Sequence, residues 1–496
     1  MSTHPAPEVD VVVVGSGPNG LAAAVTLARA GLDVQVLESE DTIGGGARTL
    51  DLGLAPGIVH DICSAAHPLA LASPFFDAFD VQARGVRAIA PTASYAQPLD
   101  DEPAAIAWRD VERTAAGLGA DGPTWRALLG TLSRHQDLVV ELSLGDKRSI
   151  PPALLTPRAL AAAPLFGALI GLQGTPAWNL PFRTERARAL LGGVAAHAIG
   201  PMPSLAMAAT AGLLGTIAHG VGWPLPVGGS QSIIDALVAD LRAHGGQILT
   251  GHRVRTWRDA PAARAVLLDT TAGAAADILS NRLPASLERA LRRFPHGDGA
   301  AKVDFVLSGP VPWRDPDVGE AGTQHLGGTR AQMAHAEAEV AAGKLPQRPM
   351  TLVSDPSVVD PGRIHDGLRP LWAYAHVPAG DTTDPTELVT AQVERFAPGF
   401  RDMIVAARGI PASEMSAHNP SLVGGDISMG RVTMAGMIAR PTARLDPYRL
   451  AGTGWYLCSQ ATPPGPGVHG MSGWHAARRV LAQEFGVTEM PDLSPA

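Results

Sequence analysis

Val9-Asp10-Val11-Val12-Val13-Val14-Gly15-Ser16-Gly17-Pro18-Asn19-Gly20 is the stretch that decides the fold. Its run of β-branched valines reads as a buried parallel strand. The Gly-x-Gly-x-x-Gly that follows leads into an Ala/Leu-rich helix over Leu21–Ala30, stopped at Gly31. A second strand, Val34–Leu37, ends in Glu38. Gly15 permits the tight turn, Gly17 lets backbone approach a pyrophosphate, and Gly20 lets helix and strand pack closely. The helix start offers free N–H groups and positive dipole charge to phosphates. Glu38 is placed to accept hydrogen bonds from ribose hydroxyls and to repel a 2′-phosphate. A glycine-rich turn by chance is the bland alternative. The ordered set of strand, glycines, helix, strand and acid favours dinucleotide binding, with Pro18, Asn19 and Ser39 beside it.

Past Glu38 the chain reads Gly44-Gly45-Gly46-Ala47-Arg48. Glycines here bring a second loop against the dinucleotide, and Arg48 offsets phosphate charge; the alternative is a surface loop with a solvated arginine. The stretch resembles the glycine doublet of the flavoprotein superfamily that holds phytoene desaturases, amine oxidases and the Rab GDP-dissociation inhibitors. In the amine oxidases an arginine directly follows the pair. Gly46 stands there in this chain, which favours the phytoene-desaturase-like branch. The resemblance implies FAD as cofactor.

The 496 residues suffice for two or three domains with a large core. With 46% hydrophobic and 17% charged residues the composition is globular and somewhat apolar. A net charge of −8 without a basic stripe argues against a nucleic-acid partner. Cys63 and Cys458 are far apart, so neither a disulfide framework, a metal-ligand spacing nor a C-x-x-C pair is visible. That excludes the usual thiol chemistry of a disulfide reductase. Met1–Glu8 lacks a basic region followed by an apolar segment, so no signal peptide is expected and the location is read as cytoplasmic.

Asp51–Ala72 is rich in glycine, proline and small residues. His67 within it is a weak catalytic candidate; a loop histidine bonded to backbone is the plainer reading. Ala88–Pro98 and Ala104–Arg109 read as short strands around a turn at Asp100-Asp101-Glu102-Pro103, and Trp125–Leu142 has helical periodicity. No formal charge falls between Arg158 and Arg183, nor from Ala189 to Ile234. Pro164, Pro176, Pro201 and Pro203 interrupt these stretches. They read as short helices around an apolar cavity, with Pro203–Ala218 as one buried helix. Plain core packing, a tunnel for a lipophilic substrate with a face resting peripherally on a membrane, and a membrane span are the three alternatives.

Trp223-Pro224-Leu225-Pro226-Val227-Gly228-Gly229-Ser230 marks a return to the first domain, with Ser230 as N-cap. Ile233, Ile234, Leu237, Val238 and Leu241 form an apolar helical stripe, stopped by Gly245-Gly246 ahead of a strand over Gln247–Leu249. In the resembled family the residue in the place of Val254 offers its backbone to the adenine. Ala276–Asn281 resembles that family's strand ending in Ser-Asn. Lys302–Leu307, Met350–Ser354 and Leu371–His376 have strand character, and Thr386–Phe396 reads as a helix.

The far end closes the site. Trp455–Cys458 reads as a strand, Ser459–Gly467 as a Gly/Pro loop, and Trp474–Phe485 as a helix. Such a helix start would direct positive charge at a reduced flavin ring. Pro464-Gly465-Pro466-Gly467-Val468-His469-Gly470-Met471 resembles the family's P-G-G-G-V-x-G signature, with Pro466 in a glycine's place and unable to donate an N–H. The resemblance implies cofactor contacts from Ser459, Gly467, Val468 and Met471. His469 is a second weak catalytic candidate, and a loop-capping histidine is the stronger reading.

With both ends matched, the chain resembles the phytoene desaturase-like (phytoene dehydrogenase-related) FAD oxidoreductases. The implied fold is α/β: a Rossmann-like FAD-binding domain (1-80, 220-300 and 440-496) with an inserted mixed α/β substrate domain (81-219 and 301-439). The implied function is desaturation of C–C bonds in a small lipophilic substrate. A C=C saturase and an amine oxidase with Trp474 and Tyr456 as an aromatic cage are alternatives. A non-enzymatic binder like the GDP-dissociation inhibitors is a third. No metal is expected.

Overall fold

Val11, Val12 and Val13 are wholly inaccessible, so the strand they form is covered on both faces. In the computed structural model, residues 8–146, 155–450, 452 and 454–495 are described. Val9–Val14 sits at the centre of a five-stranded parallel sheet in the order Trp455–Leu457, Ala263–Leu268, Val9–Val14, Val34–Leu37, Gln247–Leu249. The odd valines, Val11 and Val13, pack with Leu21, Leu237 and Ala476, on the helices Pro18–Arg29, Gln231–Ala243 and Met471–Val480. The even ones, Val12 and Val14, pack with Ala275, Ile278 and Leu287 on the opposite side. Alternate residues facing two helical layers is the physical basis of the doubly covered sheet.

The first helix begins at Pro18, three residues before the expected Leu21. Gly17 is its N-cap, and proline at N1 sacrifices no bond because that N–H is unpaired in any helix. The stripe Ile233, Ile234, Leu237, Val238 and Leu241 is buried as expected. Ser230 stands at the start of that helix, but its side chain does not cap it.

Two expectations are overturned. Ala276–Asn281 is not a strand; Ala272–Ile278 is a helix, capped by Thr271, whose hydroxyl accepts from the Ala274 N–H. Four alanines behind a threonine cap favour helix. The strand beside Val9–Val14 is instead Ala263–Leu268, paired in register from Val9↔Ala263 to Val14↔Leu268. The periodicity over Trp125–Leu142 is also broken: a π turn at Arg126–Gly130 and a stop at His135 precede the helix Gln136–Leu144.

A second, seven-stranded mixed sheet runs Ile404–Ile410, Gly299–Leu307, Arg369–Val377, Thr351–Ser354, Thr323–Leu326, Ala93–Gln97, Ala105–Trp108. Phe305, Val353, Leu371 and Ala373 pack on the helix Thr386–Phe396. The other face carries the alternate residues. Thr323, Ser354, Trp372 and Asp304 form one cross-strand row, and His325, Leu352, Tyr374 and Lys302 the next.

The uncharged stretches form helices Ala159–Gln173 and Leu205–Ala218 and the second half of Glu185–Ala195. Leu205–Ala218 is almost wholly buried, with Ser204 as N-cap. It meets Ala159–Gln173 closely: a Cβ on Gly212 would lie 2.7 Å from the Phe166 ring. Ala159–Gln173 is apolar all round and leaves Leu160 80% exposed. Among the described residues no helix is long and apolar enough to cross a membrane.

Candidate active site

The glycine loop is shaped by its neighbours as much as by its own conformation. Gly15 has φ +104°, the left-handed region that favours glycine. Gly17 is conformationally ordinary, but a Cβ there would lie 2.6 Å from Asp269 Oδ2. On Gly20 a Cβ would lie 2.3 Å from Gly15 O, so helix and turn touch only through glycine. Gly20 N–H donates to Asp269 Oδ2 at 3.0 Å, and Asp269 N–H donates to Val14 O at 2.7 Å. Among the described residues no hydrogen bond takes the N–H of Gly17 or Asn19. Those donors and the helix dipole are what an anionic diphosphate needs.

Glu38 sits at the end of its strand. Its Oε2 accepts from Ser16 N–H at 2.9 Å and Ser16 Oγ–H at 2.5 Å, and its Oε1 from Glu40 N–H at 2.9 Å and the Ser39 hydroxyl at 3.1 Å. The second loop lies directly on the first: a Cβ on Gly45 would be 3.0 Å from Gly17 Cα. Arg48 is buried, with no carboxylate partner among the described residues. It donates to Gly45 O, Thr42 Oγ1 and His418 O at 2.8, 2.8 and 3.1 Å, leaving its positive charge formally unbalanced at the loop.

A cavity of about 900 Å³ runs through these elements and on toward the second sheet. Gly15, Gly17, Pro18, Asn19, Glu38 and Ser39 line it, as do Gly45, Gly46, Arg48 and Val254. From the far end of the chain Gly467 and Val468 also line it. Other expected contacts lie behind the wall. Gly20 is turned to Asp269, and Gly44 is held against Ile234. The Ser459 hydroxyl donates to Thr270 O at 2.6 Å. The Met471 N–H donates to His469 Nδ1 at 3.0 Å, so this first donor of its helix is occupied. That helix docks instead on the Asn19 turn, where a Cβ on Gly473 would fall 1.8 Å from Asn19 O.

His67 lines the cavity and has a fixed tautomer. Ser230 Oγ–H donates to Ser64 O at 2.6 Å, so at the 2.7 Å contact His67 Nε2–H must donate to Ser230 Oγ. Nδ1 is then a buried acceptor without a partner among the described residues. Burial lowers its pKa to about 4, so the ring is neutral. His469 does not line the cavity. Its Nε2 faces Gly465 O at 3.0 Å, which makes it a loop cap. Cys63 lines the wall as a thiol, its pKa pushed up to about 11 by burial.

Sequence reading missed Asp269. It lines the cavity under the glycine loop, and burial, reinforced by the charge of Glu38, raises its pKa to about 7. The signal that could have found it is an acid directly after the apolar run Ala265–Leu268. His197, Trp372 and Tyr374 were missed too; they line the apolar end. Tyr456 and Trp474, the cage candidates of the amine-oxidase alternative, do not line it; the Tyr456 hydroxyl donates to Glu484 at 2.7 Å within the first domain.

The family model for an NAD(P)-binding Rossmann-like domain matches residues 13–79. The chain is 23% identical over 563 aligned positions to pyridine nucleotide-disulfide oxidoreductase domain-containing protein 2 of Rattus norvegicus, covering 96% of this chain and 94% of that protein. It is 42% identical to a hydroxyneurosporene desaturase of Cereibacter sphaeroides over 71 residues, 14% of this chain and 13% of that protein. Among solved structures it resembles the cyclohexylamine oxidase of Brevibacterium oxydans, with a TM-score of 0.58 at 16% identity over 97% of this chain and 100% of the other. The chain therefore carries a Rossmann-like dinucleotide-binding domain within the α/β architecture of that oxidase.

Proposed function

We propose that this protein is an FAD-dependent oxidoreductase that desaturates C–C bonds of a lipophilic substrate. The observation that carries the substrate reading is the distribution of charge along the cavity. Its lining carboxylates, Glu38, Glu40, Asp269 and Asp277, all belong to the dinucleotide-binding domain. The apolar end, walled by Phe166, Ile170, Leu213, Leu214, Leu352 and Val432, has none among the described residues. A cationic substrate would lose its hydration there without a counter-charge. The glycine loops fit FAD: they leave free N–H groups for the diphosphate, Glu38 for the ribose and Arg48 for excess negative charge. FAD when bound supplies the two-electron acceptor. The chain's own residues orient the substrate against it and exclude water. The partial likeness to a desaturase supports the reading.

Amine oxidation is the second reading. Trp372 and Tyr374 line the cavity with ring centroids 5.3 Å apart at 76°, and the fold is shared with an amine oxidase. Mixing the flavin-loaded protein, without oxygen, with lipophilic alkenes or alkanes and separately with lipophilic amines discriminates the two. Bleaching by hydrocarbons with formation of a new double bond supports desaturation. Bleaching by amines alone replaces it. Leu155, Leu160 and Leu180, each at least 75% exposed, support a peripheral membrane contact beside the helical wall. Co-sedimentation with neutral phospholipid vesicles, lost in a Leu160→Glu/Leu180→Glu variant, is the expected result; no co-sedimentation removes that contact.

A further inference from the structure

The apolar end of the cavity holds a histidine pair that the reading above does not use. Helix Glu185–Ala195 ends in a 3-10 turn, Ala196–Ala198, which places half-buried His197 in the cavity wall. Its Nε2 lies 2.8 Å from Nε2 of His325. His325 is fully buried on its strand, beside the rings of Tyr95 and Trp223 at 5.3 and 5.8 Å. Burial keeps both imidazoles neutral, His197 with a pKa lowered to about 3 and His325 well below its ordinary value.

Two neutral rings meeting Nε2 to Nε2 share one proton, which allows two arrangements. With the proton on His197, His325 must be protonated at Nδ1. That atom is buried with no partner among the described residues, so it would be an orphaned N–H. With the proton on His325, its Nδ1 is an unsatisfied acceptor instead. Buried orphan donors are rarer in native proteins than under-satisfied acceptors. The second arrangement is the one the structure supports: His325 Nε2–H donates to His197 Nε2. His197 then carries its own proton on Nδ1. No residue among those described bonds that atom, and it is not among the buried unpaired ones. The donor is open to the cavity. Tyr374 stands in the same wall, and burial keeps its phenol un-ionised.

We infer that His197 is a substrate-binding residue that donates Nδ1–H to a neutral oxygen, so that the substrate class is a lipophilic molecule bearing a ketone, ether or hydroxyl. The surroundings discriminate among polar groups. Among the described residues no carboxylate lines this end to hold an ammonium, and the neutral rings offer no counter-charge to a carboxylate. A plain hydrocarbon would leave the His197 donor unsatisfied. This inference rests on the apolar end being the substrate site.

Calorimetric titration of the flavin-loaded protein with cyclooctanone and cyclooctane tests it without turnover. The ketone is expected to bind about 5- to 10-fold tighter, the weight of one neutral hydrogen bond. His197→Phe is expected to abolish that preference while keeping cyclooctane binding. His197→Gln, which retains an N–H donor, is expected to restore part of it. The wild-type ¹⁵N-histidine spectrum, assigned with His197→Gln, should show His197 as the Nδ1–H tautomer. Equal binding of the two ligands, or a preference surviving His197→Phe, overturns the assignment and leaves the oxidoreductase reading standing. An Nε2–H tautomer at His197 also overturns it. Failure of both ligands to bind a protein that holds FAD overturns the cavity's apolar end as substrate site, and this inference with it.

Discussion

Asp269 Oδ2 accepts the Gly20 N–H at 3.0 Å, so a carboxyl group lies under the loop that an anionic diphosphate must approach. Ionised, it opposes the phosphates; protonated, it does not. Its pKa of about 7 puts the change within the working range. Flavin affinity is therefore expected to fall as pH rises from 6 to 8. Asp269→Asn keeps an acceptor for Gly20 and removes the charge. It should flatten that dependence and bind FAD tighter at pH 8, measured by fluorescence titration of the flavin-free protein.

The buried histidines set the acid limit of stability. His67, His197, His219, His469 and His475 have pKa values lowered by burial to about 4, 3, 4, 4 and 4. The unfolded chain binds protons near pH 6.5 and the folded chain only near 4. Their contribution is thus present above 6.5 and lost as pH falls toward 4. Asp269 acts oppositely: with its folded pKa raised, it favours the folded state as pH falls from 7 toward 3.8. Tm of the flavin-free protein should drop between pH 7 and 5. Asp269→Asn should also steepen the fall of unfolding free energy over that range, by up to about 1.4 kcal/mol per pH unit in denaturant titrations.

The two glycine loops should fail separately. Gly17→Val places side-chain carbon against Asp269 and in the phosphate approach, and Gly45→Val pushes on Gly17 from the other loop. Each is expected to lower bound FAD at least roughly 10-fold, about 1.4 kcal/mol or more of lost binding. Circular dichroism should stay near that of the parent protein, because neither residue is in a core cluster. A folded Gly17→Val variant with full flavin content contradicts the binding site.

Lys302 and Asp304 form an ion pair closed from solvent, on the cavity-facing side of the second sheet. Lys302→Met strands the carboxylate and should cost about 3–5 kcal/mol in denaturant unfolding. The double variant Lys302→Met/Asp304→Leu should recover most of that loss.

The first domain was legible because its signals are local. The valine run, the spaced glycines and Glu38 each have one physical use; in the second domain the helix over Thr386–Phe396 also matched to the residue. The strand Ala263–Leu268 escaped because its last four residues are Ala-Val-Leu-Leu, which serve helix and strand alike. The Ala276–Asn281 segment misled for the converse reason: the Thr271 cap, not the terminal Ser-Asn, decides its conformation. Asp269, His197 and His325 were hidden because their roles arise from contacts across 249 and 128 residues. Periodicity carries no trace of such pairings. Met471 and Ser459 were expected at the cofactor from a motif, yet His469 and Thr270 engage them.

FAD-dependent redox chemistry requires bound flavin, which the absorbance spectrum of the purified protein and analysis of its heat-released supernatant will reveal. Flavin bands and about one FAD released per chain are expected. A colourless protein that also fails to take up added FAD would contradict that chemistry and leave a dinucleotide-type fold serving only to bind.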